Sequence, residues 1–487
     1  MNFKGKIYIS NNGVTITPYN RKDCSQLEHL TSMYDEVYHK RNEVTGFVLK
    51  YDDEKDAFIT HQQNVKYIQN LFPEYEVEYM KETTSTKISH EFGLDSSITP
   101  TDIQYDIISK ILNMKNEKEW FVHLQTAYGK TLLSIYLSSI FNYKTMIMCF
   151  SVEILSQWMK TIKKKTTFPP DRLLLIDSSK ILQGILDDTF DYKKYDIFLC
   201  TPKILTSFCN KKGYDKLNII FNKIGIGLKI FDEAHRNMAN LIKINASTNT
   251  RYTLYLSADF GQADPELEQK YFKIFYKVPI ITPDEKFKET MRYTQAVVVE
   301  YNSHPTMEES PTIYNRYGFS AQLYMEYQFK KKIIFDVVDF VLKPIFAIKD
   351  KYKILILLNH IEHVDIMTDY IKDKYPNKIV GRFHSKVNAE EKEYTKNYSD
   401  IIVSTYSSFG TGLDVSHIKY VLSLNQSNKI EDNQAAGRAR PLEDGSDVFY
   451  FMIIDRGFPY CMKKLKTRLQ YLNETKIKKV SKLRYYT

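Results

Sequence analysis

The hydrophobic and polar positions divide the chain into regions of different pattern. Residues 1–91 alternate strand-like runs with helical stretches near Ser25–Arg41 and Asn64–Leu71, and this order predicts a small α+β domain. From Thr99 onward the strand-like runs become almost wholly apolar. Because the strands of a parallel sheet are buried on both faces, this second pattern predicts parallel sheets covered by helices. The strand-like runs of the first region are Lys6–Ser10, Gly13–Pro18, Gly46–Tyr51, Ala57–His61 and Glu76–Tyr79.

Two successive α/β modules account for the apolar runs after Thr99, because each run is followed by a helical segment. We place the small domain at residues 1–91, the modules at 92–288 and 289–458, and a C-terminal tail at 459–487. The predicted strands of the first module are Trp120–Leu124, Thr145–Phe150, Leu173–Asp177, Asp196–Cys200, Leu228–Phe231 and Tyr252–Leu256. Those of the second module are Gln295–Tyr301, Lys353–Leu358, Lys378–Arg382, Asp400–Thr405, Tyr420–Leu424 and Val448–Ile453.

Composition narrows the class of protein. Of the 487 residues, 43% are hydrophobic and 26% are charged, as in ordinary globular domains with cores of their own. No apolar run approaches the roughly 20 residues of a membrane-spanning helix, and the first residues lack the apolar segment of a secretory signal. The five cysteines are scattered without Cys-x-x-Cys spacing, which favours a reducing compartment such as the cytoplasm.

The net charge of +9 is concentrated near the C-terminal end. Residues 459–487 contain nine lysines and arginines and a single acid, Glu474. Such a tail is suited to contact the phosphates of a nucleic acid, because each contact releases counterions. A solvated helix end in a lysine-rich protein is the alternative, and the charge pattern leaves both open.

A tight loop follows the predicted strand Trp120–Leu124 and leads into a helix. Its sequence, Gln125-Thr126-Ala127-Tyr128-Gly129-Lys130-Thr131, ends in the Gly-Lys-Thr of a phosphate-binding loop. Backbone N–H groups and the helix dipole would bind an anion there, with Lys130 on the β- and γ-phosphates and Thr131 on Mg²⁺. Leu124 stands where the first glycine of the motif is usual, so a plain helix N-terminus with a surface lysine is the alternative.

Two carboxylates follow directly on another predicted strand. Asp232-Glu233-Ala234-His235 comes after Leu228–Phe231, at the carboxyl edge where α/β sheets bind ligands. Asp232 is predicted to hold Mg²⁺ and Glu233 to polarise the attacking water. The alternative is a solvent-facing acidic turn.

A third candidate lies in the second module. The stretch Gln434-Ala435-Ala436-Gly437-Arg438-Ala439-Arg440 is followed by Pro441. Two arginines beside a glycine are suited to stabilise a transferring phosphate, in the manner of arginine fingers. An ordinary helix with exposed basic residues is the alternative. The arginines meet Lys130 only if the two modules face each other.

These motifs resemble those of superfamily 2 helicases in type and order. The resemblance implies two tandem RecA-like domains with an ATP site between them, ATP and Mg²⁺ as ligands, and ATP hydrolysis coupled to movement on nucleic acid. Ser257-Ala258-Asp259 stands where Ser-Ala-Thr is usual in the family. Gln104 matches the adenine-reading glutamine, and either Arg438 or Arg440 matches the finger. The residues that the resemblance places at the nucleotide are Gln104, Thr126, Gly129, Lys130, Thr131, Asp232, Glu233, Gly412, Asp414, Gln434, Arg438 and Arg440. Those that it places on nucleic acid are Gln157 and Trp158 (motif Ia), Thr201 and Pro202 (motif Ib), and Ser407 and Thr411 (motif V).

The Asp-Glu-Ala-His form and the Gln157-Trp158 pair resemble one branch of that superfamily in particular. The branch contains XPB-like helicases, the bacteriophage recombination helicase UvsW and poxvirus transcript-release helicases. The element order of residues 1–82 is similar to the N-terminal duplex-binding domain of UvsW. We therefore expect a viral or phage DNA helicase, monomeric and in the host-cell cytoplasm, that remodels branched DNA in recombination, replication or repair. Its expected partners are single-stranded and branched duplex DNA, with RNA as a further candidate. A transcript-release helicase at a stalled RNA polymerase and an ATP-gated nucleic-acid clamp are the alternatives.

Overall fold

The structure is a computed structural model of the 487-residue chain. The chain forms two compact units, Met1–Pro283 and Asp284–Thr487, which divide close to the predicted boundary at residue 288. The structure describes residues 5–10, 13–27, 49–52, 57–60, 65–79, 85–125, 128–258, 275, 278–287, 292–316, 318–348, 351–409, 415–424, 432, 435–437, 442, 444–475 and 477–486.

The first unit begins with the predicted small α+β domain. Its elements are β1 (Lys6–Ser10), β2 (Gly13–Thr17), α1 (residues 21–27), β3 (Leu49–Asp52), β4 (Ala57–Thr60), α2 (Val65–Leu71) and β5 (Glu76–Tyr79). The sheet has the order β3-β4-β2-β1-β5 and is antiparallel except for the pair β1–β5. Strand alternation buries Ile7 and Ile9 of β1 and Val14 and Ile16 of β2 in one core. Most of the helix predicted at Ser25–Arg41 lies outside the described residues.

The rest of the first unit is a parallel α/β sheet. Its strands are β6 (Glu119–His123), β7 (Thr145–Met148), β8 (Leu173–Ile176), β9 (Ile197–Cys200), β10 (Leu228–Asp232), β11 (Tyr252–Ser257) and β12 (Ile280–Ile281). The helices are α3 (Asp102–Asn113), α4 (Lys130–Phe141), α5 (Val152–Lys165), α6 (Ser179–Leu186), α7 (Pro202–Lys212), α8 (Asp215–Ile224) and α9 (Met238–Ala246). The order is β12-β6-β11-β10-β7-β9-β8, with every pair parallel. The strands predicted from apolar runs are confirmed to within about two residues, the usual uncertainty of element ends.

The second unit contains a second parallel sheet. Its strands are β13 (Thr294–Tyr301), β16 (Lys353–Leu358), β17 (Val380–Phe383), β18 (Ile401–Thr405), β19 (Ile418–Ser423), β20 (Val448–Asp455) and β21 (Ile477–Arg484), and a hairpin of β14 (Tyr314–Asn315) and β15 (Gly318–Phe319) lies apart from it. The helices are α10 (Ala321–Lys331), α11 (Ile333–Ala347), α12 (Ile361–Lys374), α13 (Ala389–Tyr398), α14 (Tyr406–Phe409) and α15 (Pro459–Thr475). The order is β17-β18-β16-β19-β20-β13-β21. In the described part of the chain, no helix is long and apolar enough to cross a membrane.

The order of the first parallel sheet decides which loops are neighbours. Strands β6, β11 and β10 lie side by side, so the three loops that follow them emerge together at the carboxyl edge. Strands β7 and β9 come next on the other side of β10. The phosphate-binding loop, Asp232-Glu233, Ser257 and the starts of α5 and α7 therefore share one edge of one sheet.

The basic C-terminal segment is part of the second sheet, which corrects the prediction of a separate tail. Strand β21 pairs in parallel with β13 along its length. Ile477 is buried on that sheet, and Arg468 of α15 is only 1% exposed. Unpaired N–H and C=O groups along β13 would be an open sheet edge, and β21 covers that edge.

Some basic groups of the segment are already paired with acids of the second unit. Arg484 and Lys482 lie 3.2 and 3.7 Å from the carboxylate of Glu300, and Lys478 lies 3.1 Å from Asp447. The side chains of Lys478, Lys479 and Lys482 remain exposed. The charge that the sequence concentrates here is therefore partly neutralised and partly displayed on an edge strand.

Candidate active site

The phosphate-binding loop ends at Gly129, a position where only glycine fits. Gly129 lies between β6 and α4 with φ 72° and ψ 40°, in the left-handed region that favours glycine. A Cβ atom at this position would lie 2.3 Å from Nε2 of Gln104. Lys130 and Thr131 are the first two residues of α4, so their backbone N–H groups point out of the helix N-terminus toward the loop. Thr126 lies outside the described residues.

Gln104 holds this loop from helix α3. Its Nε2 donates to the carbonyl oxygens of Tyr128 and Gly129, at 3.3 and 3.2 Å. Its Oε1 accepts from the backbone N–H of Thr101 at 2.8 Å, and the Thr101 hydroxyl accepts from the backbone N–H of Gln104, which makes a capping box. The side chain is buried, and both of its amide hydrogens are used on the loop. Gln104 therefore positions the loop, and its reading of adenine stays a prediction.

The acidic pair lies at the end of β10, within reach of the loop. Lys130 Nζ is 3.3 Å from Oε1 of Glu233, and both side chains are largely buried. Glu233 has φ 50°, an uncommon left-handed conformation for a residue with a side chain. Its backbone N–H donates to Oδ1 of Asp232 at 3.0 Å. Burial raises the pKa of Asp232 to about 6, with Glu233 adding to the rise and Lys130 opposing it. The pair is therefore a partly desolvated site, and a solvent-facing acidic turn is excluded.

Trp158 corrects the prediction that it contacts nucleic acid. Its side chain is 1% exposed, so it offers no surface to a bound strand. Its indole Nε1 instead donates to Oδ2 of Asp232 at 2.8 Å. The apolar ring fills the core beneath α5 while the polar N–H takes a carboxylate partner, as buried indoles usually do. The spacing of motif Ia correctly marks the start of the helix but does not show which face of the helix Trp158 occupies.

Two further histidines belong to the site, and the sequence analysis assigned no role to either of them. His235 Nδ1 lies 2.7 Å from the hydroxyl of Ser257 at the end of β11. His123 Nε2 lies 2.9 Å from the carbonyl oxygen of Ala258. The acidic motif and the Ser257-Ala258 segment are thus in direct contact. His235 could have been found from the sequence, because it is the last residue of the Asp-Glu-Ala-His motif. Nothing in the spacing of the motifs indicated His123.

Each unit contains a region that matches a known protein family. Residues 97–261 match the family described as "Type III restriction enzyme, res subunit", and residues 336–441 match the family described as "Helicase conserved C-terminal domain". The first match contains the phosphate-binding loop and the acidic pair, and the second contains Gln434 to Arg440. The chain belongs to superfamily 2 of the helicases.

This helicase is also similar to "Transcript termination protein A18" of Yaba monkey tumor virus (strain VR587). The two are 22% identical over 349 residues, which cover 68% of this chain and 66% of the viral protein. The chain thus spans just under two thirds of the length of that relative.

Solved structures of other helicases share the fold. "S. cerevisiae Dbp5 bound to RNA and ADP BeF3" has a TM-score of 0.53 at 14% identity and covers 79% of this chain and 90% of its own. Mss116p bound to ssRNA and AMP-PNP has a TM-score of 0.53 at 17% identity, over 79% of this chain and 74% of its own. These matches confirm the predicted tandem RecA-like fold.

The remaining predicted nucleic-acid residues of the first unit lie at the start of α7 and within α5. Thr201 caps α7, where its hydroxyl accepts from the backbone N–H of Ile204, and Pro202 is the first helical residue. Both side chains are buried, so any contact there would come from backbone groups of the helix N-terminus. Gln157 in α5 is half-buried. The start of α5 also displays Phe150, 41% exposed, which the sequence analysis did not single out.

The second unit of the helicase shows only part of its predicted site. Ser407 follows β18 and is exposed, with its hydroxyl 3.2 Å from that of Thr405. The remaining predicted residues lie outside the described part of the chain and stay predictions: Thr411, Gly412, Asp414, Gln434, Arg438 and Arg440. Asp432, two residues before Gln434, is buried and accepts from Nε and Nη2 of Arg468 at 2.6 and 2.8 Å.

The residues of the first unit fit a magnesium-bound nucleotide. Thr131 and Asp232 offer a hydroxyl and a carboxylate, the hard oxygen donors that Mg²⁺ prefers. Within the described residues, no group of three or more His, Cys, Asp or Glu side chains could hold a metal ion. Mg²⁺ is usually bound by one or two protein oxygens together with phosphate oxygens and water. When bound, Mg²⁺ neutralises charge on the phosphates.

Proposed function

We propose that this helicase hydrolyses ATP and uses the energy to move along DNA. The contact between Lys130 Nζ and Glu233 Oε1, at 3.3 Å, carries the proposal. It brings the cation of the phosphate-binding loop to the carboxylate that the sequence predicts as the base. Lys130 and Glu233 lie in the segments that follow strands β6 and β10, which flank β11, so a single sheet edge holds both.

The residues of this site have separate roles in the proposed reaction. Lys130 and the N-terminus of α4 bind the phosphates, and Gln104 keeps the loop in shape. A γ-phosphate at Lys130 would compete with Glu233 for the ammonium group. Glu233 would then be free to accept a proton from the attacking water. Asp232, held by two N–H donors, keeps one orientation toward Mg²⁺.

One assay separates the proposed motor from its alternatives. ATP turnover is measured with single-stranded DNA, duplex DNA, a DNA fork and RNA side by side, with Lys130→Ala as the inactive control. We expect DNA to stimulate turnover severalfold over the protein alone. Binding of ATP without turnover on any of these would instead favour the ATP-gated clamp, and stimulation by RNA alone would contradict a DNA track.

The similarity to a viral transcript termination protein favours a viral protein that releases transcripts from a stalled RNA polymerase. Branched-DNA remodelling in recombination or repair is the second candidate. It is supported by the small α+β domain ahead of the helicase domains, because the element order of that domain resembles the duplex-binding domain of UvsW. Release of labelled RNA from stalled elongation complexes and regression of a synthetic fork, measured with the same preparation, decide between the two roles.

A further inference from the structure

Helix α5 contributes a side chain to the nucleotide site that no motif assigns there. Trp158 lies at the middle of this helix and is 1% exposed. Its indole Nε1 donates to Oδ2 of Asp232 at 2.8 Å. The bond therefore joins the helix that follows β7 to the carboxylate at the end of β10, the neighbouring strand.

The second tryptophan of the chain shows that burial alone does not require such a bond. Trp120 in β6 is 2% exposed and stacks on Phe141 at a ring separation of 5.9 Å. Its Nε1 has no hydrogen-bond partner among the described residues. The two indoles are thus almost equally buried, but only the N–H of Trp158 donates a hydrogen bond to a described residue. An N–H that does find a buried carboxylate makes a charge-assisted bond, stronger than a neutral one.

The two oxygens of Asp232 are held by different parts of the fold. Oδ1 accepts from the backbone N–H of Glu233 at 3.0 Å, and Oδ2 accepts from Trp158. One donor alone would let the carboxylate rotate about its terminal bond, whereas two donors at opposite oxygens define its plane. Each oxygen keeps a further lone pair, so the group can still bind a cation.

We propose that Trp158 is a positioning residue for Asp232, and that its indole N–H fixes the orientation in which the carboxylate receives Mg²⁺ with the nucleotide. The proposal rests on the proposed ATP site. Trp158 would act through Asp232, to which its indole N–H donates. Partners of this kind, one step removed from the metal, typically change metal affinity or activity by about 10–100-fold when they are lost.

The two tryptophans allow a direct optical test. In Trp120→Phe all tryptophan emission comes from Trp158, and titration with Mg·ADP should change that emission. The Kd obtained from this change should equal the Kd measured by calorimetry. In Trp158→Phe the emission comes from Trp120. Its N–H has no carboxylate partner among the residues that the structure describes, so the change in emission should be much smaller. An unchanged Trp158 signal at saturating Mg·ADP would overturn the proposal.

The affinity for Mg²⁺ gives a second readout that does not depend on turnover. Binding of a fluorescent ADP analogue is measured as a function of Mg²⁺ concentration in both variants. Trp158→Phe should require about 10–100-fold more Mg²⁺ than the wild type. Trp120→Phe is the matched control and should stay within about twofold, because its N–H has no hydrogen bond to lose within the described part of the chain. Equal Mg²⁺ requirements in the two variants would contradict a positioning role.

Failure of this proposal and failure of the proposed function have different signatures. A wild type that binds Mg·ADP but does not turn over ATP refutes the ATPase and leaves the two Mg²⁺ readouts intact. If circular dichroism shows Trp158→Phe unfolded, Asp232→Ala in the Trp120→Phe background replaces it. Removal of the carboxylate should then shift the Trp158 emission without any Mg²⁺, and an unshifted spectrum would refute the bond.

Discussion

At the scale of single residues, the nucleotide site depends on side chains that hold the backbone as well as on those that face a ligand. Gln104 caps α3 and at the same time ties down two carbonyl groups of the phosphate-binding loop. Glu233 contacts Lys130 from a left-handed backbone conformation. Such conformations cost of order 1–3 kcal/mol for residues with a side chain and are found mainly at functional sites. Small changes at these positions are therefore expected to have large effects.

Gly129→Ala tests the fit of the loop. A methyl group would meet Gln104 Nε2 at 2.3 Å, and alanine at φ 72° costs about 1–2 kcal/mol. We expect nucleotide affinity to fall by about tenfold or more, since 1.4 kcal/mol corresponds to a factor of ten. Gly93→Ala is the matched control, because a Cβ there meets no atom within 4 Å. Affinity of a fluorescent ATP analogue measures both, and equal affinities would show that the loop does not bind nucleotide in this shape.

Glu233→Gln tests the assigned base. The amide keeps the size of the side chain but cannot accept the proton of the attacking water. We expect nucleotide binding to survive while ATP turnover falls by about 10²–10⁴-fold, the usual scale for a lost general base. Steady-state turnover and equilibrium nucleotide binding are measured on the same protein. A parallel loss of binding would mean that Glu233 serves mainly to hold Lys130.

At the scale of elements, the C-terminal helix and strand complete the second sheet. The guanidinium of Arg468 in α15 is buried and reaches both oxygens of Asp432 and the hydroxyl of Ser423 at the end of β19. Tyr450 of β20 donates to the same aspartate, and Tyr406, at the start of α14, contacts Ser423. One buried cation therefore connects α15 to the starts of the segments that carry motifs V and VI.

Arg468→Ala tests this connection. Removal of the guanidinium takes one ion-pair partner from the buried Asp432, and the loss of one partner of a buried pair typically costs about 3–5 kcal/mol. We expect the second unit to unfold at markedly lower urea concentration than in the wild type. Lys466→Ala, at an exposed position of the same helix, is the control and should be close to neutral. If the two variants unfold alike, the pair contributes little to the fold.

At the scale of the whole molecule, the edge strand β21 displays positive charge. This surface is a second candidate site, besides the sheet edge that holds the nucleotide site. Lys478, Lys479 and Lys482 of β21 are exposed, and two of them also face acids. The three lysines of the last turn of α5, Lys163 to Lys165, are equally exposed but lie at the opposite end of that helix from its motif Ia start. The β21 lysines and the α5 lysines therefore carry the same total charge but lie on different elements of the fold.

Replacement of each set by serine distinguishes a nucleic-acid contact from general charge. If the β21 lysines lie on phosphates, duplex affinity should fall for all sequences, and the slope of log affinity against log salt should become shallower by about two to three units. The α5 set should leave the slope nearly unchanged. Fluorescence anisotropy across a salt series measures both. Equal slopes for the two sets would show that β21 is a solvated surface.

The sequence was sufficient for the fold class and for the positions of the motifs. Buried parallel strands leave an unmistakable apolar pattern, because both of their faces are covered, and the strands around Trp120, Leu228 and Tyr252 were found within about two residues. The loop at Gly129-Lys130-Thr131 and the pair Asp232-Glu233 could be predicted for a related reason. Their chemistry depends on residues that are neighbours in sequence, at the end of a recognisable strand.

Contacts between distant residues were decided by tertiary structure alone. Trp158 and Asp232 are 74 positions apart, and the helical pattern of α5 does not show that the indole turns inward to a carboxylate. The basic tail was misread for the same reason, since charge density does not reveal that β21 pairs with β13 or that Arg468 is buried against Asp432. Local spacing encodes which groups lie along one element. Which element lies beside which, and therefore which buried polar group finds its partner, depends on the packing of the whole chain.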